Sequence, residues 1–143
     1  MERRGEQFGF WNAEKAATAV AVGNTTLFTV SGKVKLLSIS GKVSTAISDS
    51  AVSVTLASVP TVGASSSIAA VTSVRNNGLG VQYNITGTVA NAIATSVAVG
   101  IYQAAPLVIP AGAIKLQSSA TPAAGAIAWT AQYEPMEAGA RIF

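Results

Sequence analysis

Apolar and polar residues alternate with a period of two along much of this chain. Between residues 51 and 59, for example, Val54 and Leu56 fall on one side of the chain while Thr55 falls on the other. Such alternation predicts β-strands that turn one face toward a core. The strands predicted in this way are residues 27–30, 33–44, 51–59, 68–74, 81–89, 95–103, 107–109, 113–117 and 126–133.

Turn-forming residues separate these runs. Glycine, proline and asparagine recur between them, so that one strand follows another roughly every 8–12 residues. No segment after residue 22 keeps the period of a helix. Roughly nine short strands in this arrangement predict an all-β, antiparallel sandwich or barrel rather than a fold of alternating strands and helices.

The alternation also predicts which side chains form the core. In residues 33–44 it places Leu36 inward and Lys35 outward, and it reverses near residues 37–39, which predicts a β-bulge there. Burying the apolar face of each strand is favourable by about 25 cal/mol per Å². The predicted core residues are Leu36, Val52, Val54, Leu56, Val97, Val99, Ile101, Ile114, Leu116, Ile127 and Trp129.

The first fifteen residues differ from the rest of the chain. They hold six of its fifteen charged residues and, in Phe8, Phe10 and Trp11, three of its nine aromatic residues. Clustered aromatics among mixed charges indicate an arm that docks on a partner, although the same rings could fold back on the domain's own core. Residues 13–22 fit either a short helix or a first strand that begins near residue 17. The predicted division is an N-terminal arm, residues 1–22, and a β-sandwich domain, residues 23–143.

The charge content is low for a soluble protein. Charged residues make up 10% of the chain, against about 25% in typical proteins. Between residues 50 and 133 the only charged residues are Arg75 and Lys115. A surface so poor in charge is suited to being covered by other subunits. The other explanation is an ordinary domain whose many serine and threonine hydroxyls keep it in solution.

Side chains for catalysis and metal binding are scarce. The chain has no histidine and no cysteine, and Asp49 is its only aspartate. Acid–base catalysis at neutral pH and metal coordination both depend on such groups. We therefore expect a protein that is not an enzyme and that has no catalytic residue, no metal site and no cofactor.

The positive charges do not indicate a nucleic-acid or membrane partner. The net charge is +3, and the main group outside the N-terminal segment is Lys33, Lys35 and Lys42. Lysines this widely spread fit a solvated strand edge better than the dense basic face of a nucleic-acid-binding protein. No stretch reaches the roughly 18 consecutive apolar residues of a membrane span. We expect neither direct nucleic-acid binding nor membrane insertion.

Two blocks of the sequence resemble a known family. Residues 23–43 read GNTTLFTVSGKVKLLSISGKV, and residues 109–143 read IPAGAIKLQSSATPAAGAIAWTAQYEPMEAGARIF. The early LFTVSG strand and the later IPAGAI and GAIAWTAQYEPMEAGA segments resemble small virion structural proteins of tailed bacteriophages, of the head decoration or cement type.

The resemblance implies a jelly-roll-like antiparallel β-sandwich with an extended N-terminal arm. It implies a non-enzymatic protein that is made in the bacterial cytoplasm and ends on the capsid exterior of the virion. There such proteins bind as dimers or trimers, and they bridge and stabilise subunits of the major capsid protein.

Aromatic and apolar residues near both ends of the chain are the predicted contacts with such a partner, because these side chains anchor most interfaces. Tyr133 shares one side of its strand with Trp129, and the edge of the core explains it as well as an interface does. The predicted interface residues are Phe8, Phe10, Trp11, Tyr133, Met136, Ile142 and Phe143.

Two other functions fit the same composition. A structural protein of a phage tail or fibre would share the all-β architecture and the low charge. A carbohydrate-binding or adhesion β-sandwich module would bind sugars through a solvent-facing Trp129 or Tyr133.

Overall fold

The computed structural model describes residues 11–100 and 103–143. These residues form no helix, and therefore none that is long and apolar enough to cross a membrane. They form twelve strands: β1 (Trp11–Ala19), β2 (Gly23–Ser31), β3 (Val34–Thr45), β4 (Ser53–Pro60), β5 (Ser66–Ser67), β6 (Thr72–Ser73), β7 (Gln82–Asn84), β8 (Ala94–Ser96), β9 (Leu107–Ile109), β10 (Gly112–Ser118), β11 (Ala126–Pro135) and β12 (Arg141–Ile142).

The strands form two six-stranded sheets. The first sheet has the order β1-β11-β3-β7-β8, and β9 pairs with β3 as well. The second sheet has the order β12-β2-β10-β4-β5, and β6 also pairs with β4. Every pairing between these strands is antiparallel. The two sheets pack against each other, which confirms the predicted antiparallel β-sandwich.

The connections between strands follow a jelly-roll plan. Strands β1 to β4 enter the two sheets alternately, and later strands return beside them. Strand β11 pairs with β1, β10 with β2, β7 and β9 with β3, and β5 and β6 with β4. These strand pairs are nested along the chain, with the β1–β11 pair outermost. Successive pairs lie in opposite sheets, which is the arrangement of a jelly roll.

The core lies between the inner faces of the two sheets. Phe28 and Leu56 of the second sheet and Leu36 and Trp129 of the first are each no more than 2% exposed. The predicted core residues that the structure buries are Leu36, Val52, Val54, Leu56, Ile114, Leu116, Ile127 and Trp129.

The core prediction is wrong for Val97 and Val99, which are 77% and 68% exposed. Strand β8 ends at Ser96, so its pairing with β7 stops before either valine. Beyond that point the alternation no longer corresponds to the two faces of a sheet. Ile101, the third predicted core residue of this run, lies outside the described residues.

The bulge predicted in β3 is confirmed. Leu36 lies opposite Tyr133 and Ser38 lies opposite Gln132, so Leu37 is an extra residue on β3. The extra residue reverses the alternation, and Leu36 and Ile39 are therefore both buried although they stand three positions apart.

Residues 11–19 belong to the sandwich and not to the predicted arm. They form β1, an edge strand of the first sheet in which Ala13 is buried and lies opposite Ala131. Alanine favours a helix locally, so the strand conformation of this segment is decided by its pairing with β11. Residues 1–10, the remainder of the predicted arm, lie outside the described residues.

Candidate functional site

A groove of about 440 Å³ opens at the flank of the sandwich where β1 and β12 end the two sheets. Trp11, the first residue of β1, lies directly opposite Tyr133 of β11. Ile142 of β12 lies opposite Val30 of β2. We call this site the edge groove, and its lining residues are Trp11, Tyr133, Pro135, Gly139, Ala140, Arg141, Ile142 and Phe143.

The edge groove has a buried floor and an exposed aromatic rim. Tyr133 and Ile142 are each 4% exposed, whereas Trp11 and Phe143 are 47% and 56% exposed. Trp11 stands on the same side of the first sheet as Tyr133, because residues directly opposite in a ladder point to the same face. Trp11 is exposed because β1 is the outermost strand of that sheet, with no neighbouring strand beyond it among the described residues. Half-exposed rings beside an apolar floor are typical of a protein-binding surface.

Arg141 is the charged residue among those described at the edge groove. Its guanidinium lies over the ring of Phe143, 4.5 Å from the ring centroid, which is a cation–π contact. The backbone N–H of Phe143 donates to the carbonyl of Thr29 at 2.9 Å, and the N–H of Thr29 donates to the carbonyl of Phe143 at 2.6 Å. The second sheet therefore holds the rim ring in place.

The structure brings together part of the predicted interface. Trp11, Tyr133, Ile142 and Phe143 all line the edge groove. Met136 is 46% exposed but is not among its lining residues. Phe8 and Phe10 lie outside the described residues. Tyr133 and Ile142 are buried and form the floor of the groove. Trp11 and Phe143 are therefore the side chains that can anchor a partner. Their contact with a partner stays a prediction.

Sequence reasoning missed a second apolar groove, of about 230 Å³. Val89 and Val108, which are 49% and 55% exposed, lie on it together with Pro60 and Pro110. None of the described residues that line it is charged. They come from separate segments of the chain, which only the fold brings together. The scarcity of charge between residues 50 and 133 is the one sequence signal for this surface.

Some of the described charged side chains form ion pairs of an ordinary surface type. Lys35 Nζ lies 3.4 Å from Glu134 Oε1, and Arg75 Nε donates to Asp49 Oδ1 at 2.5 Å. The hydrogen bond from Arg75, and then its charge, lower the pKa of Asp49. Within residues 11–100 and 103–143, no three acidic side chains come together to hold a metal ion. These charges tie neighbouring segments of the surface to one another.

The position of two rings bears on the carbohydrate-binding alternative. Trp129 is 2% exposed and Tyr133 is 4% exposed. The ring of Trp129 stacks on that of Tyr83, with centroids 6.3 Å apart and planes inclined by 26°. A sugar-binding platform needs a ring that faces solvent. The rings on which that alternative depends lie in the core.

No protein-family model, curated protein or solved structure matches this chain.

Proposed function

We propose that this chain is a non-enzymatic decoration, or cement, protein of a tailed-bacteriophage capsid. It binds the outer surface of the capsid and bridges neighbouring subunits of the major capsid protein. Phe143, on the rim of the edge groove, supplies an anchoring side chain.

The observation that carries this proposal is the balance of apolar and charged side chains on the surface. Between residues 50 and 133 only Arg75 and Lys115 are charged. Single exposed apolar residues are normal, but a surface on which they outnumber the charges suits contact with other subunits. The exposed large apolar residues described in this part of the chain are Val62, Val71, Leu79, Val89, Val97, Val99 and Val108.

The two blocks that resemble decoration proteins are neighbours in the fold, which also supports the proposal. Residues 23–43 contain β2 and most of β3, and residues 109–143 contain β10, β11 and β12. Strands β10 and β12 pair with β2, and β11 pairs with β3. The resembling residues therefore form one continuous unit across both sheets. This unit supplies every described residue of the edge groove except Trp11.

A protein of this kind stabilises a shell without catalysing a reaction. Because it binds the assembled capsid, its binding free energy adds to the stability of that state by mass action. A copy that contacts two capsid subunits acts as a bivalent clamp, since binding to the first subunit raises the effective concentration at the second. Many copies on one shell sum these contributions.

The experiment that tests the proposal mixes the purified full chain with expanded capsids that lack it and, separately, with purified tails. Sedimentation and imaging then show where the chain binds. Ordered density on the capsid exterior, together with greater heat resistance of the shell, is the expected result. Binding to tails, or assembly into tubes, would assign the chain to the tail instead. Binding to neither would contradict both assignments.

A further inference from the structure

The open edge of β1 is the longest among the strands that end the two described sheets. β1 spans nine residues, whereas β5 and β12 span two and β8 spans three. On its other side β1 pairs with β11. Very short edge strands deter further pairing, but a long one presents a row of backbone N–H and C=O groups to which another strand can bind.

A bulge limits the regular part of this edge. Trp11 to Lys15 lie opposite Tyr133 to Trp129 one for one, and the register then shifts before Thr18. A bulge twists its strand and ends regular pairing. Among the described residues, the flat stretch of the edge is therefore 11–15, with Ala13 at its middle.

We propose that a second copy of this chain pairs with this edge, β1 antiparallel to β1, about a two-fold axis at Ala13. A two-fold axis perpendicular to the sheet brings the same surface of both copies together and keeps inner and outer faces aligned. Residues that lie opposite each other must then stand on the same side of the strand. The axis therefore falls on a residue and not between two residues.

The charges of β1 disfavour the two registers that are centred on its charged residues. An axis at Glu14 would place two glutamates opposite each other, and an axis at Lys15 would place two lysines opposite each other. Like charges directly opposite destabilise a strand pair. An axis at Ala13 places Asn12 opposite Glu14 of the second copy, where amide and carboxylate can hydrogen-bond. It also places Trp11 opposite Lys15 of the second copy, which suits a cation–π contact.

The exposure of these side chains agrees with the pairing. Asn12 and Glu14 are exposed, and Trp11 is 47% exposed. In the pair, the apolar stem of Lys15 of the second copy would cover the ring of Trp11. Ala13 at the axis is small enough to let the two strands approach. The two first sheets would join into one continuous sheet across the dimer.

Cysteine cross-linking tests this register directly. The chain has no cysteine of its own, so any disulfide must involve the introduced residues. A disulfide needs Cα atoms about 4.4–6.8 Å apart, and diagonal neighbours in a sheet are roughly 7–8 Å apart. An equimolar mixture of N12C and E14C chains is therefore expected to cross-link under mild oxidation, and either variant alone much less. Efficient cross-linking of N12C alone or E14C alone would place the axis elsewhere and overturn the register.

Sedimentation of the full chain over a concentration series provides the second measurement. A dimer is expected, and N12E should raise its Kd several-fold, because it sets two glutamates opposite each other twice per dimer. N12E/E14K should restore the affinity, and A19E, which adds the same charge beyond the bulge, should leave it unchanged. A chain that stays monomeric up to about 1 mM, or a dimer that N12E leaves intact, would overturn the inference. These measurements use the chain alone, so their outcome is independent of capsid binding.

Discussion

Trp129 lies directly opposite Gly41 across the ladder of β3 and β11, and its ring occupies the space that a side chain at Gly41 would need. A Cβ added at Gly41 would lie 2.8 Å from a ring atom of Trp129. Tyr83 of β7 lies opposite Gly41 on the other side, and its ring stacks on Trp129. A glycine between two strands that carry large rings lets the rings meet above its backbone. This row of three residues forms part of the centre of the core.

Alanine at Gly41 is expected to destabilise the fold by about 1–3 kcal/mol, because either the Trp129 ring or β3 has to move. The midpoint of denaturant unfolding measures this loss, provided that the m value stays constant. G78A is the matched control, since an added Cβ at Gly78 meets nothing within 4 Å. Equal midpoints for G41A and the wild-type chain would contradict the packing described here.

The two tryptophans are expected to differ sharply in their contribution to stability. W129A should lower the free energy of unfolding by about 3–5 kcal/mol, because it removes a fully buried ring from the core. W11A should lower it by less than about 1 kcal/mol, because Trp11 is half-exposed at a sheet edge. Chemical denaturation of both variants gives the comparison. Similar losses for the two variants would show that Trp129 is not the core residue.

Acid is expected to weaken the contact between the loops that carry Asp49 and Arg75. Arg75 lowers the pKa of Asp49 below its ordinary value of 3.8. A lowered pKa in the folded state means that this stabilisation is present above the unfolded value and is lost as the pH falls through the folded value. At neutral pH the wild-type chain should therefore melt slightly above D49N. The difference should shrink as the pH drops below about 3.8.

The double variant D49N/R75Q controls for other effects of these substitutions. Both single variants remove the same ion pair, so their effects on the melting temperature should not add in the double variant. The pair is exposed, and each change is expected to be small. A D49N effect that persists unchanged in strong acid would mean that it does not arise from this ion pair.

The part of the fold that the sequence predicts best consists of long strands with one regular apolar face. Such strands are β3, β4, β10 and β11. Because one face of each strand is buried in the core, apolar residues are needed at alternate positions, and the sequence shows this pattern. β5 to β8 are only two or three residues long. In such short segments, serine, alanine and valine give little contrast between the two faces. Val97 and Val99 continue an alternating pattern after the ladder itself has ended.

The candidate site was harder to predict than the sheets. Trp11 and Phe143 stand out in the sequence as aromatic residues near the ends of the domain. Their meeting at one groove depends on the pairing of β1 with β11 and of β12 with β2. These pairings join segments from opposite ends of the chain, and no local pattern encodes such distant contacts. The buried floor, Tyr133 and Ile142, could not be separated from the rim for the same reason.

The rim of the edge groove is expected to provide a large part of the affinity for the capsid. F143A removes one anchoring ring and leaves β1 unchanged, so it separates capsid binding from the pairing of two copies. A central aromatic anchor is typically worth at least about 2 kcal/mol, which corresponds to more than a tenfold loss of affinity. M136A is the matched control, because Met136 is 46% exposed but does not line the groove.

The most direct test of capsid decoration is a binding isotherm of the full chain on expanded capsids that lack it, measured by sedimentation for the wild-type chain, F143A and M136A. We predict saturable binding of the wild-type chain and M136A, and an affinity for F143A that is lower by more than about tenfold. Equal binding of F143A and the wild-type chain would contradict the role of the edge groove. Failure of the wild-type chain to bind capsids would contradict the proposed function itself.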